Sequence, residues 1–187
     1  MTRLTAIVMA SAVTLLSTGC SMMAPQYTPS LDNVQRLKDA GAYSASVGTF
    51  ASSPDKANAN PISMRGSSLA SPYQDSYANY VAEAIRQELS LAKKLSSDTT
   101  TEITGTLLKN DIDVAGFSVG TVDLEARFVV KRAGQVRYDQ VKSVRSEFPS
   151  SFAAAVALPR AVQEYPVAVQ KLLGKLYEDK AFVNALK

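Results

Sequence analysis

Histidine and tryptophan are absent from this chain, and cysteine occurs once. Without histidine there is no Ser-His-Asp or Cys-His nucleophile system, and the commonest zinc ligand is missing. A lone cysteine forms no intramolecular disulfide, so the fold must rest on its core alone. Six phenylalanines and no tryptophan suit a compact layered domain better than a roomy apolar pocket. Paired carboxylates are nearly absent too. Asp111 and Asp113 are the nearest thing to a paired-carboxylate site, but they lack the further oxygen ligands of a calcium loop and read as solvated loop acids. The stretch Gly116–Gly120 has neither the lysine nor the helix start of a phosphate loop and reads as a turn. The expectation is a chain without catalytic residues, metal or cofactor, although a glycosidase working with two carboxylates alone is compatible with this composition. A formal charge of +3 is too small to point to nucleic acid.

What is present begins at the N-terminus. Arg3 supplies a positive n-region, Leu4 to Leu16 is uncharged and mostly apolar, and Ser17, Thr18 and Gly19 are small residues before Cys20. The apolar run is shorter than the roughly 18 residues that span a bilayer. The pattern is that of a secretory signal ending in a lipobox, with cleavage between Gly19 and Cys20 and diacylglycerol on the Cys20 thiolate. Ser17 occupies a position where lipoboxes most often have leucine, with Leu16 one place earlier. A lipidated cysteine carries at least two acyl chains, which gives stable anchoring where one chain would not. Residue 21 is serine; among Gram-negative lipoproteins an aspartate there retains the protein in the inner membrane, so Ser21 implies the outer membrane by that resemblance.

Three parts are expected: a signal peptide over 1–19, a lipidated tether over 20–42, and one periplasmic domain over 43–187. In the tether, Leu31, Val34 and Leu37 have the spacing of one or two helical turns, which would let part of it dock on the domain, although a flexible linker is the favoured reading. Tyr43–Phe50 alternates as a first strand, 51–60 is a loop by composition, and Ile62–Leu69 is a weak edge strand. Asp75–Leu95 carries an apolar stripe through Tyr77, Val81, Ala84, Ile85, Leu89, Ala92 and Leu95, with Ser71 or Asp75 as N-cap and Lys93 and Lys94 in the last turn. Thr99–Leu108 is a strand and Lys109–Val119 a loop. Gly120–Lys131 alternates cleanly, with Val122, Leu124, Ala126, Phe128 and Val130 inward. A three-residue loop, Ala133–Gln135, would then pair Val130 with Tyr138 and Leu124 with Val144. That register leaves Gln140 and Lys142 on the apolar side, so a bulge is expected near Val141. A second helix starts at Pro159 with a kink or a restart at Pro166, and Asp179 caps a last short helix. The sum is an α+β fold: two layers, a mostly antiparallel sheet of about four strands, and two long helices on one face. A parallel pair involving the first strand is compatible with this arrangement.

Two clusters are candidates for binding. Lys131, Arg132, Arg137, Lys142 and Arg145 crowd one hairpin and could meet an anionic partner, although Glu125, Asp139 and Glu147 are interleaved with them. Tyr73, Tyr77 and Tyr80 mark a strip where the first long helix begins, but their helical spacing also suits the core or its rim.

The order of these features resembles the YajG-like bacterial outer-membrane lipoproteins. The resemblance rests on the basic-ended amphipathic helix, Ile103 and Leu107, the strand Val122–Phe128, Phe148 and Phe152, and the long helix followed by Asp179, Phe182 and Leu186. A looser likeness is to auxiliary lipoproteins of ABC-type lipid transporters. The first resemblance implies an outer-membrane lipoprotein on the periplasmic face and brings no catalytic residue. The expected function is a non-catalytic docking or assembly module of the cell envelope, held to the membrane through Cys20 and binding an envelope protein or a second copy of itself. The alternative is a transport auxiliary that binds lipid.

Overall fold

One hairpin sets the scale of the molecule. In the computed structural model, which describes residues 21–187, β6 (Val119–Arg132) and β7 (Gln135–Pro149) pair antiparallel along nearly their whole length. Val122, Leu124, Ala126, Phe128 and Val130 are all buried, as their alternation predicts. Val130 lies opposite Tyr138 and Leu124 opposite Val144, also as predicted.

The turn that achieves this register differs from expectation. Arg132 pairs with Gln135, so the turn has two central residues, Ala133 and Gly134, with φ of 48° and 78°. Positive φ at both positions is the type I′ requirement, met cheaply by glycine at the second. The extra residue is taken up at Arg137, between the pairs Val130–Tyr138 and Lys131–Val136, and not near Val141. Gln140 and Lys142 keep their inward register without a bulge. Gln140 remains exposed, and the Lys142 ammonium reaches Asp179 at 2.7 Å, so neither is buried unpaired.

The four-stranded sheet has the order β2-β5-β6-β7, with β2 being Ser46–Ser52 and β5 Thr101–Asp113. The β2–β5 pair is parallel and the rest antiparallel. β5 extends through Lys109–Asp113, expected as loop; a register shift after Leu107 keeps Asn110 and Ile112 buried. At Gly105 a Cβ would collide with the Phe50 ring and with Arg127 O at 2.8 Å, so glycine lets Phe50 cross the sheet and meet Phe128 edge-on at 6.2 Å.

Helices α2 (Tyr77–Leu91) and α3 (Ala154–Glu178) cover one face of this sheet. Ser76, not Ser71 or Asp75, caps α2, its hydroxyl accepting from Asn79 N. The helix ends at Leu91 with Ala92 as its C-cap, so Lys93 and Lys94 lie beyond its last turn. α3 begins before Pro159 and runs through both Pro159 and Pro166. A buried stripe from Ala157 to Tyr177 holds it together, consistent with tertiary packing outweighing two missing N–H donors. Asp179 caps α4 (Lys180–Ala185) as expected.

The segment expected as a tether belongs to the domain. β1 (Ser21–Met23) joins a second sheet of order β1-β4-β3 with β3 (Ile62–Met64) and β4 (Ser67–Ala70). α1 (Leu31–Asp39) packs on α2 and α3, burying Val34 and Leu37. Apolar burial and polar bonds outweigh the chain entropy that would favour a free linker. Gly19, Cys20 and the signal segment lie outside the described residues. Among those described, no helix is long and apolar enough to cross a membrane.

The inner and outer sheet faces are expected to respond differently to truncation. Phe128→Ala should cost about 3–5 kcal/mol. Arg127→Ala, which loses only a solvent-facing ion pair with Asp139, should leave the denaturation midpoint close to wild type. Urea melts of the two variants check this; equal losses would mean that both faces are covered.

Candidate functional site

The most buried charge in the fold is Glu88, on α2, with no exposure. Its Oε1 accepts from Tyr27 Oη at 2.6 Å, Ser30 N at 3.0 Å and Asn33 Nδ2 at 3.2 Å. All three donors come from the N-terminal segment. Asn33 Nδ2 also reaches Gln170 O at 2.9 Å, tying α1 to α3. Burial pushes the Glu88 carboxyl above its ordinary value of 4.5, against the opposing pull of those three donors and of the nearby Tyr177 hydroxyl. With its carboxylate held by donors from the N-terminal segment, Glu88 ties that segment to α2.

The tyrosines belong to the same interior. Tyr77 and Tyr80 are buried and Tyr73 is half-buried, so they form core and rim and not a binding strip. Tyr80 meets Tyr165 edge-on at 5.2 Å and Tyr73 at 5.2 Å. Their hydroxyls are satisfied: Tyr77 Oη donates to Leu69 O, Tyr80 Oη to Pro25 O, and Tyr73 Oη accepts from Tyr27 N. Burial raises the pKa of Tyr77 and Tyr80.

The basic hairpin does not form one patch. Arg145 makes two 2.8 Å bonds to Asp123, which Lys109 approaches at 3.3 Å; the Arg145 guanidinium holds the Asp123 carboxyl below its usual range. Lys142 pairs with Asp179 and lowers that carboxyl likewise. Lys131, Arg132 and Arg137 are exposed at the hairpin tip and make no ion pair among the described residues. Arg132 and Arg137 line a shallow cavity of about 340 Å³ against Ala181, Asn184 and Ala185 of α4. Arg145 lies eight rungs down the sheet from Lys131, about 25 Å away at the usual rise per residue. Asp113 accepts from Ala115 N at 2.7 Å in a local turn, and Asp111 lies opposite Asp123. Among the described residues no group of three acidic or cysteine side chains could hold a metal.

A surface that the sequence did not announce lies beside the free edge of β2. Two adjoining grooves, of about 460 and 520 Å³, flank the C-terminal half of α2, the first against Pro29 and the second against the start of β2. They share Arg86 and Leu95; Pro29, Ser90 and Leu91 line one, Ser46, Val47 and Ser97 the other. Leu91 is 53% and Leu95 42% exposed. Leu95 sits on the predicted stripe but beyond the helix end, where the chain has turned away from the core. Leu91 lies off the stripe, an apolar residue on a polar face, which was the one signal available. Arg86 reaches Val47 O at 3.5 Å and Glu83 at 3.6 Å, so its guanidinium spans the groove floor. Leu95 bridges Ala45 just ahead of β2, with Ala45 N donating to Lys94 O at 2.9 Å and Ser96 N to Ala45 O at 3.1 Å; beyond that bridge β2 pairs with β5 alone, leaving its other edge unpaired among the described residues.

No family model matches the chain, and no curated protein does either. Among solved structures the chain is similar to a Xanthomonas campestris protein of the family DUF330. That match has a TM-score of 0.59 and 11% identity, over 88% of this chain and 95% of the other. A candidate lipoprotein of Caulobacter crescentus is similar at a TM-score of 0.47 and 10% identity, over 82% and 96% of the two chains. A hypothetical protein of Chlamydia trachomatis gives 0.45 and 10%, over 72% and 93%. At such identities the Xanthomonas likeness shows the fold and nothing further.

The Glu88 tie generates a pH prediction. A carboxyl raised in the folded state binds its proton more tightly there than when unfolded. Its stabilising contribution is therefore full below the unfolded value and lost as pH rises through the folded one. Relative to Glu88→Gln, the wild type should lose stability from pH 4 to pH 7 in paired thermal melts. Glu88→Ala strands three donors and should cost at least about 3 kcal/mol, at roughly 1 kcal/mol or more for each.

Proposed function

We propose that the protein is a membrane-anchored periplasmic lipoprotein, attached through Cys20 to the outer membrane, that serves as a non-catalytic docking module of the cell envelope. The observation that carries the docking role is the groove between α2 and the free edge of β2. An extended segment of a partner would add to the Ser46–Ser52 edge by main-chain hydrogen bonds and place an apolar side chain against Leu91 and Leu95. The tip residues Lys131, Arg132 and Arg137 offer a cationic rim at the same end of the sheet, since Thr101, beside β2, lies opposite Arg132. Catalysis finds no support: Glu88 is sealed in the core, and the other acids are either ion-paired or solvated singly. Lipid carriage finds less support than docking. The grooves lie open on the surface, and the space between sheet and helices is filled by side chains such as Phe128, Tyr165 and Leu172.

Two measurements test the reading. Cys20→Ala should abolish incorporation of labelled palmitate and release the protein from the membrane fraction; retention of both would end the anchoring claim. A photo-crosslinking residue at Leu91 or Leu95 should give a protein adduct of defined mass that the same residue at Val141, on the outer face of β7, does not give. Phospholipid as the crosslinked species would replace docking with the transport role.

A further inference from the structure

The end of the domain opposite that groove has its own exposed feature. Phe117, in the turn between β5 and β6, and Phe152, between β7 and α3, stack at 5.7 Å with planes 11° apart. They are 74% and 78% exposed. Val119 and Val156 are exposed beside them; Val119 pairs with Pro149, and Ser150 N donates to Ser118 O at 2.8 Å, which makes the patch contiguous. Two stacked phenylalanines facing water contribute nothing to the core that their own loops need.

The same end is where the chain enters the domain. Arg65 and Gly66 form the turn between β3 and β4, with φ of 45° and 80°. Arg65 Nη1 donates to Ser151 O and Phe152 O, both at 2.8 Å, and Nη2 to Gly116 O at 3.4 Å. One guanidinium thus pins both aromatic loops to the small sheet. β1 runs parallel to β4 with Ser21 opposite Ser68, three residues past Arg65, so the start of β1 lies at this turn. Cys20 is the residue before Ser21, and one residue of extended chain spans at most about 3.6 Å. With Ser21 already in a strand, no slack remains to lift the domain away from its anchor.

We infer that the end formed by Ser21, Arg65, Phe117 and Phe152 rests on the phospholipid surface, with the two rings among the headgroups and the upper acyl chains. The inference rests on the anchoring of Cys20. Aromatic rings favour the membrane interface, and Arg65 and Arg160 are cations there without an ion pair among the described residues, suited to headgroup phosphates. Asp113 and Glu147 flank Thr121 on the rung next to this end; Asp113 is held in its own turn, and Glu147 stands on β7 beside it. A bilayer is favoured over a protein occupant because the covalent anchor brings it to within one residue of β1.

The absence of tryptophan makes the test direct. The full, lipidated chain carrying Phe152→Trp as its sole tryptophan is reconstituted into phosphatidylethanolamine and phosphatidylglycerol vesicles with brominated acyl chains. The expected result is a blue shift and loss of emission, with neither for Val141→Trp on the outer face of β7. Palmitate-labelled, vesicle-bound protein whose Phe152→Trp emission is unquenched, or matches Val141→Trp, would overturn the orientation and leave anchoring intact. Protein that takes up no palmitate and leaves the vesicles would overturn anchoring, and the orientation with it. A concentration-dependent blue shift in detergent without vesicles would assign the patch to a second copy of the chain and overturn the inference.

Discussion

A carboxylate without a counter-ion in the middle of an apolar interior is costly, and Glu88 is tolerated because three donors converge on it. Those donors, Tyr27, Ser30 and Asn33, all lie in the N-terminal segment, which further bonds to Tyr73, Tyr80 and Gln170 tie to the same interior. Val34 and Leu37 bury apolar surface, but a nine-residue helix is too short to stand alone in water. The Glu88 bonds fix where α1 sits, α1 fixes where residues 24–29 cross the Tyr80 ring, and β1 can then pair with β4. The exit point of the N-terminus is thereby coupled to the core of the domain. A chain that would otherwise be a spacer becomes part of a rigid body, and the orientation of that body is set by packing.

The sequence made the central hairpin legible because alternation there is uninterrupted and one face is fully buried. Val122 to Val130 left a single register that satisfied both strands, and the structure has it. The stripe of α2 was legible for the same reason. Glu88 was not, since it falls between Ile85 and Leu89 on the buried side and a carboxylate at that position reads as surface. Its meaning depends on donors more than 50 residues away, beyond any local pattern. The tether expectation failed on that account. Pro159 and Pro166 misled in the opposite sense, because local propensity marked a break where tertiary burial from Ala157 to Tyr177 prevails. Of the basic cluster, the residue types were readable but the pairings were not. Which of Lys142 and Arg145 meets Asp179 or Asp123 is decided by register and by the position of α4, so the free cations at the tip could not be separated in advance from the paired ones below it.

The two edges of the main sheet are treated differently, and this difference argues for where a partner binds. An unpaired edge strand is a template for another chain and is normally blunted by charge, bulges or proline. β7 has charge and proline: Asp139, Lys142, Arg145 and Glu147 along it, and Pro149 at its end. β2, Ser46–Ser52, has neither. Each strand carries one irregularity toward its paired neighbour, at Arg137 in β7 and between Val47 and Phe50 in β2, so charge and proline make the difference. Arg86 reaches the free side of β2 from across the groove, at Val47 O. β6 spans 14 residues, about 45 Å at the usual rise. The unprotected edge begins near its far end, while Phe117 and Phe152 lie at its near end. If the near end rests on the bilayer, the undefended strand is held up to a sheet's length away from it, clear of the headgroups and accessible to a partner in the periplasm. Chemistry at the two ends thus divides between lipid below and protein above, and a sheet without internal breaks carries that separation.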